Sequence, residues 1–260
     1  MEWTSDTIRA ALRQQLLTDA MLGVVSVPIR PPKPPPRAGR GATGAATQPL
    51  PKAGDAGRSA ASKQQLLAEI NERSVQACTQ CRLHETRTKT VFGQGNPDAR
   101  IVFVGEAPGF EEDRSGLAFV GRAGDLLTRI IEKAMGLSRD DVYICNTVKC
   151  RPPGNRDPRA DEILSCSPYL RQQLTIIQPE VVVALGAPAA KTLLNTTQSI
   201  GKLRGRFHEY YFSGTTGVGP CVALMPTYHP AYLLRTPSEK AKTWEDIKMV
   251  LAKLGLKEPR

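Results

Sequence analysis

From residue 76 onward the chain alternates short apolar runs with stretches of helical periodicity, and this alternation constrains the fold more than any other feature. Strands buried on both faces need helices to cover each side, so the pattern predicts a parallel sheet wound with crossover helices. Four strands are expected, over residues 100–105, 142–145, 180–186 and 221–225, with helices near 123–135, 159–177 and 188–195 between them. A last helix, capped by Ser238, is expected to bury Trp244, Ile247, Leu251 and Leu254 at helical spacing as plain core packing. The fold class is therefore α/β, a three-layer α/β/α sandwich around a central four-stranded parallel sheet.

The first third of the chain reads differently. Residues 1–27 are expected to hold a short amphipathic helix, with Ile8, Leu12 and Leu16 on one face. Residues 28–63 turn to Pro, Gly and Ala, with seven Lys or Arg against the single Asp55, and predict a largely disordered cationic linker. Gln-Gln-Leu-Leu occurs at 14–17 and again at 64–67, a repeat that the abundance of Gln and Leu in helices accounts for. Over the whole chain 35 Lys and Arg face 25 Asp and Glu, a formal charge of +10 that suits a polyanionic partner. The apolar runs at 21–27 and 181–185 fall far short of the roughly 18 residues that span a bilayer. The N-terminus has neither the basic start nor the apolar core of a signal peptide, so a cytoplasmic location is expected.

Ligands of an open parallel sheet bind beyond the carboxyl ends of its strands. The unusual residues of this sequence gather at those ends. The first strand runs into Gly105-Glu106-Ala107-Pro108-Gly109, an acidic run Glu111-Glu112-Asp113, and a segment holding Phe119. The second runs into Asn146, followed by Lys149-Cys150-Arg151-Pro152-Pro153, and the fourth into His229-Pro230 and Leu233-Leu234-Arg235. Taken singly, Glu106 reads as a helix cap, Phe119 as a core aromatic and Asn146 as a turn former. His229 is one of three histidines, and the ring of Pro230 restricts its backbone to extended conformations, which aims the side chain. One pocket is expected to receive Glu106, Phe119, Asn146 and His229.

Six cysteines in a cytoplasmic chain point to metal ligation rather than a disulfide framework. Cys78 and Cys81 form a C-x-x-C pair, Cys150 lies at the base of the second loop and Cys166 on the helix that follows. Four thiolates suit either a [4Fe-4S] cluster or a structural zinc, and the residue types do not separate the two. Cys145 and Cys221 fall within predicted strands and read as small buried apolar residues.

Across roughly residues 75–255 these blocks together resemble the type 4 uracil-DNA glycosylases: Cys78 and Cys81, Gly105 to Gly109, Gly116-Leu-Ala-Phe-Val-Gly121, Asn146 to Pro153, Cys166 and His229-Pro230. The resemblance implies a [4Fe-4S] cluster on Cys78, Cys81, Cys150 and Cys166, a glycosylase domain over 64–260, and uracil-containing DNA, single- or double-stranded, as partner. It further implies that the enzyme flips uracil out of DNA and hydrolyses its N-glycosidic bond. His229 would stabilise the charge developing on the base, and Glu106 would orient or activate water. Asn146 would read the base edge, Phe119 would stack on the ring, and the backbone of Gly105, Ala107 and Gly109 would line the pocket. Leu233 or Leu234 would wedge into the vacated stack, with Arg235 on a phosphate, against the plain alternative of helix packing. Glu106 matches the type 4 pattern where type 5 relatives carry an apolar residue. Covalent DNA trapping is not expected, because Lys149 runs straight into Cys150-Arg-Pro-Pro-Gly154 without an inserted histidine loop. Family members commonly act as monomers, and residues 1–70 are open to a replication or repair partner. Two rival readings are a noncatalytic iron-sulfur DNA-binding module and an electron carrier; no dinucleotide fingerprint accompanies the cysteines to support the second.

Overall fold

The computed structural model describes residues 62–259, so the helix expected near 4–20 and nearly all of the cationic linker lie outside the described residues. The linker's expected last residues, Ser62 and Lys63, instead open helix α1 (Lys63–Ile70). Ser62 Oγ accepts the N–H of Gln65, and the Gln65 side chain accepts the N–H of Ser62, a reciprocal cap that fixes where the helix begins.

A six-stranded sheet follows: β1 (Gln94–Gly95), β2 (Ile101–Gly105), β3 (Tyr143–Asn146), β4 (Val181–Leu185), β5 (His208–Tyr211) and β6 (Cys221–Thr227), in the spatial order β1-β3-β2-β4-β6-β5. The four expected strands form the parallel centre, in the order β3-β2-β4-β6. The antiparallel edge strands β1 and β5 were not expected. β1 is two residues long, and β5 buries only Tyr210, so neither carries an apolar run to announce it. β6 extends two residues beyond its expected end, through Pro226, which stands opposite Ala184 and cannot donate to the ladder.

Alternate residues of the central strands point to opposite layers. Val102, Val104, Cys145, Val182, Ala184 and Leu224 pack on one side with α4 (Ala160–Ile177) and α5 (Ala187–Leu194). Ile101, Phe103, Ile144, Val183 and Met225 pack on the other with α3 (Arg122–Arg129) and α8 (Lys240–Lys253). Burying a side chain of this size contributes roughly 1.5–3 kcal/mol, which is why β2 and β4 carry no polar position. Ile247 and Leu251 in α8 and Leu254 at its C-cap are buried as expected, but Trp244 is only half-buried. Ser238 is not the cap: it sits in a 3-10 turn, Pro237–Glu239, and Glu239 immediately precedes the helix.

β2 leads to β3 on one side of the sheet, whereas β4 leads to β6 on the other. A topology that reverses in this way opens a crevice at the carboxyl ends of the strands around the reversal. No helix among the described residues is long and apolar enough to cross a membrane.

Candidate active site

That crevice holds an open cavity of about 830 Å³, lined among others by Glu106, Ala107, Gly109, Phe119, Asn146, His229 and Arg235. The expected pocket residues are therefore brought together. β2 and β3 end side by side, with Gly105 paired to Asn146. The next turn is stitched to the same strand end: Thr147 N–H donates to Gly105 O at 2.9 Å, Thr147 Oγ1 to Glu106 O at 2.6 Å, and Val148 N–H to Glu106 O at 3.1 Å. Gly105 is itself dictated by packing. A Cβ there would stand 2.6 Å from Phe119 Cζ and closer still to Asn146 Oδ1, so any side chain would displace both.

Asn146 is 1 % exposed, and its Oδ1 has no hydrogen-bond partner. An unmet buried acceptor costs about 1–3 kcal/mol, which a ligand N–H would recover. Its main-chain oxygen accepts from the buried Lys149 Nζ at 2.8 Å, and that ammonium also donates to Gln173 Oε1 at 2.6 Å.

His229 caps α7 (Pro230–Arg235), its Nδ1 accepting the N–H of Ala231 at 3.1 Å. The imidazole proton of the neutral ring must then sit on Nε2, leaving that nitrogen a donor. Burial, reinforced by the positive Arg235, pushes the imidazole down to about 4, so the ring is neutral near pH 7. Its approach to β4 requires Gly186, which has φ +91° and where a Cβ would stand 2.9 Å from His229 Cβ. The Phe119 and His229 rings lie 5.7 Å apart at 35°.

Phe119 adopts φ +53°, which costs a non-glycine residue roughly 1–2 kcal/mol. The half-buried Arg139 offsets this strain. Its Nη2 donates to Ala118 O at 2.7 Å and Phe119 O at 3.0 Å, while Nη1 is held by Thr128 Oγ1 at 2.8 Å. Glu112 ties two pocket loops together: Oε2 accepts the Gly109 N–H at 3.1 Å, and Oε1 accepts the Val120 and Gly121 N–H groups at 3.0 and 3.2 Å. Neither Arg139 nor the clamping by Glu112 was expected; the acidic run marked Glu112, but nothing local marks Arg139. Glu106 has a buried, unpartnered Oε1. Burial, with the Asp157 carboxylate beside it, pushes its carboxyl up to about 7. A carboxyl at that value is matched to taking a proton near neutrality.

The expected wedge divides in two. Leu233 is 1 % exposed and packs inward, whereas Leu234 is half-buried and Arg235 is exposed at the cavity. Leu233 is thus core packing, the plain alternative, and Leu234 alone of the pair is partly exposed.

The four cysteines expected to be metal ligands, Cys78, Cys81, Cys150 and Cys166, line one small cavity together with Arg87, Lys149 and Tyr169. No disulfide joins them. Their sulfurs accept hydrogen bonds: Cys150 Sγ from Arg87 Nη1 at 3.2 Å, Cys166 Sγ from the Lys149 N–H at 3.2 Å, and Cys78 Sγ from Tyr169 Oη at 3.4 Å. Burial pushes the Cys81 and Cys150 thiols up, and Cys166 up to about 11. Among the described residues no group of three or more such donors stands at the spacing that holds a single metal ion. Of the two remaining cysteines, Cys145 is buried as expected, but Cys221 is exposed at the start of β6, beside the edge strand.

A cavity at the switch of a doubly wound sheet, walled by an aromatic ring, an amide with an unmet acceptor and a neutral histidine, can take a planar heterocycle. A sequence model of the Uracil DNA glycosylase superfamily matches residues 92–248, and the chain belongs to that superfamily. Three similar proteins bear the name Type-4 uracil-DNA glycosylase. That of Saccharolobus solfataricus is 45 % identical over 187 residues, covering 70 % of this chain and 84 % of the relative. That of Sulfurisphaera tokodaii is 44 % identical over 71 % of this chain and 83 % of the relative, and that of Thermotoga maritima 46 % over 69 % and 89 %.

Proposed function

We propose that this protein is a type 4 uracil-DNA glycosylase, a hydrolase that extrudes uracil from DNA and cleaves its N-glycosidic bond to leave an abasic site. The observation that carries the reading is the unmet Oδ1 of Asn146, an acceptor buried at the cavity wall. Uracil presents N3–H as a donor beside the O4 acceptor, so Oδ1 and the amide NH₂ of Asn146 match both. Cytosine presents the reverse pattern, an acceptor at N3 and an amino donor, and would leave Asn146 opposed like to like. Phe119 stacks on the ring.

As the bond between N1 and C1′ lengthens, its electron pair moves to the base, and positive charge grows on the sugar. A neutral His229 donating from Nε2 meets the negative charge building on uracil O2, a preorganised electrostatic contribution that needs no proton transfer. Glu106 accepts a proton from the water that adds to C1′. The net positive charge of the chain favours the DNA backbone, and Arg235 at the cavity reaches a phosphate with Leu234 beside it.

The four-cysteine cavity fits a [4Fe-4S] cluster. Hydrogen bonds to thiolate sulfurs and the nearby Arg87 and Lys149 cations suit an anionic centre, and the similarity to type 4 uracil-DNA glycosylases favours a cluster over zinc. The cluster would supply a structural cross-link joining the Cys78–Cys81 segment to Cys150 and Cys166. A monomer in the cytoplasm, with a replication or repair partner engaging the segment ahead of α1, since α1 itself packs on the domain, completes the reading.

The test incubates the purified protein with a labelled oligonucleotide carrying one uracil, followed by alkali. Strand cleavage at the uracil and none at a cytosine or thymine control is expected. Tight binding without cleavage by protein that retains its cluster absorbance would replace this reading with the noncatalytic DNA-binding module.

A further inference from the structure

Phe110 is 49 % exposed, an unusual setting for a large aromatic ring. It opens α2 (Phe110–Ser115) immediately after Gly109 and two residues before Glu112, both of which line the cavity. Two guanidinium groups attend its ring: Arg114 Cζ lies 5.6 Å and Arg151 Cζ 5.1 Å from the centroid. Arg151 is anchored from behind, its Nε donating to Oδ1 of Asn155 at 2.7 Å, and Asn155 is itself a cavity residue. Among the described residues neither arginine shares an ion pair with a carboxylate.

The neighbouring acids do not cancel these charges. Glu112 is turned to the Gly109, Val120 and Gly121 N–H groups, and the buried Asp113 to the Thr88 N–H at 2.9 Å, which leaves Glu111 as the only exposed carboxylate of the run. An exposed aromatic with two unpaired guanidiniums over its ring is complementary to a base with its phosphate: a base that takes a guanidinium's place over the ring stacks on it, and the displaced cation meets the backbone.

We infer that Phe110, Arg114 and Arg151 form a platform that holds a nucleotide adjacent to the extruded uracil in a single DNA strand. The inference rests on the uracil-DNA glycosylase reading and adds to it a second, sequence-tolerant subsite. Stacking is indifferent to base identity, because every base has a π-face, so the platform would strengthen binding of any flanking sequence.

The test measures affinity for a single-stranded oligonucleotide carrying one 2′-fluoro-2′-deoxyuridine, whose glycosidic bond resists cleavage, by fluorescence anisotropy. Each flanking nucleotide is replaced in turn by an abasic tetrahydrofuran unit. Wild type should lose about tenfold in affinity when one particular flanking base is removed, in line with the roughly 1–3 kcal/mol that a stacked base contributes. Phe110→Ala should bind the intact strand about tenfold more weakly and be insensitive to removing that base, and Phe110→Trp should restore the wild-type pattern. Arg114→Gln should reduce the salt dependence of binding. Because Phe110 is exposed, these variants should keep the wild-type melting temperature. If Phe110→Ala keeps wild-type affinity, or responds to every abasic replacement as wild type does, the platform is wrong. Excision is assayed separately on ordinary deoxyuridine, so absence of cleavage with the flanking-base coupling intact would remove the glycosylase reading and leave the platform.

Discussion

Replacing Glu106 with Gln should make the protein more stable above neutral pH while removing most of its activity. The carboxyl is pushed from 4.5 up to about 7, first by burial and then by Asp157. Between those values the folded protein retains a proton that the unfolded chain has released, so stability is fully present below about pH 4.5 and falls as pH rises to about 7. A rise of about 2.5 pH units at 1.36 kcal/mol each amounts to about 3 kcal/mol. Solvent reaches this half-buried group, and screening reduces the figure to about 1–2 kcal/mol. Gln carries no charge at any of these pH values. At pH 8 the variant should therefore melt about 2–8 °C higher than wild type, converging with it by pH 4.5. Single-turnover excision should fall by about two orders of magnitude or more, and the wild-type rate should climb with pH through about 7 with a limb that the variant lacks. Scanning calorimetry and quench-flow excision over pH 4.5–8.5 measure both. A variant no more stable than wild type at pH 8, or one that keeps the rising limb, would refute the assignment of a strained, water-activating carboxyl.

Asn146→Asp should cut uracil excision about a hundredfold and bring cytosine release above background, read by product analysis on matched oligonucleotides, because a protonated Asp presents the donor that cytosine N3 lacks in Asn. Arg139→Ala should raise KM about tenfold with kcat nearly kept, since it releases the Phe119 carbonyl rather than a group at the reacting bond; Arg139→Lys should recover part of the loss. Cys166→Ser should lose the broad absorbance near roughly 400 nm and iron content, and melt at lower temperature, as expected if the cluster is a structural cross-link.

The parallel centre of the sheet was legible because continuous burial demands runs of Val, Ile and Leu, and no helical face reads that way. The edge strands were not, since β1 is two residues long and β5 buries only Tyr210, which leaves little apolar trace. At the site, Glu106, Phe119, Asn146 and His229 stood out by their place at strand ends, where ligands of such sheets must bind. Arg139 could not be found that way. It acts through two carbonyls twenty residues distant, a relation that no local pattern records. Leu233 and Leu234 are adjacent in sequence and share one helical turn, yet Leu233 is buried and Leu234 only partly so, and packing alone decides between them. Ser238 has a capping residue's chemistry, but the Pro237 turn shifts the helix start beyond it.

If a neutral His229 donor carries cleavage of the glycosidic bond, the decisive comparison is the single-turnover excision rate of His229→Ala beside its affinity for uncleaved substrate. That rate should fall at least a hundredfold below wild type, with affinity changed by less than about threefold. Wild-type excision by His229→Ala, or a loss confined to affinity, would contradict it.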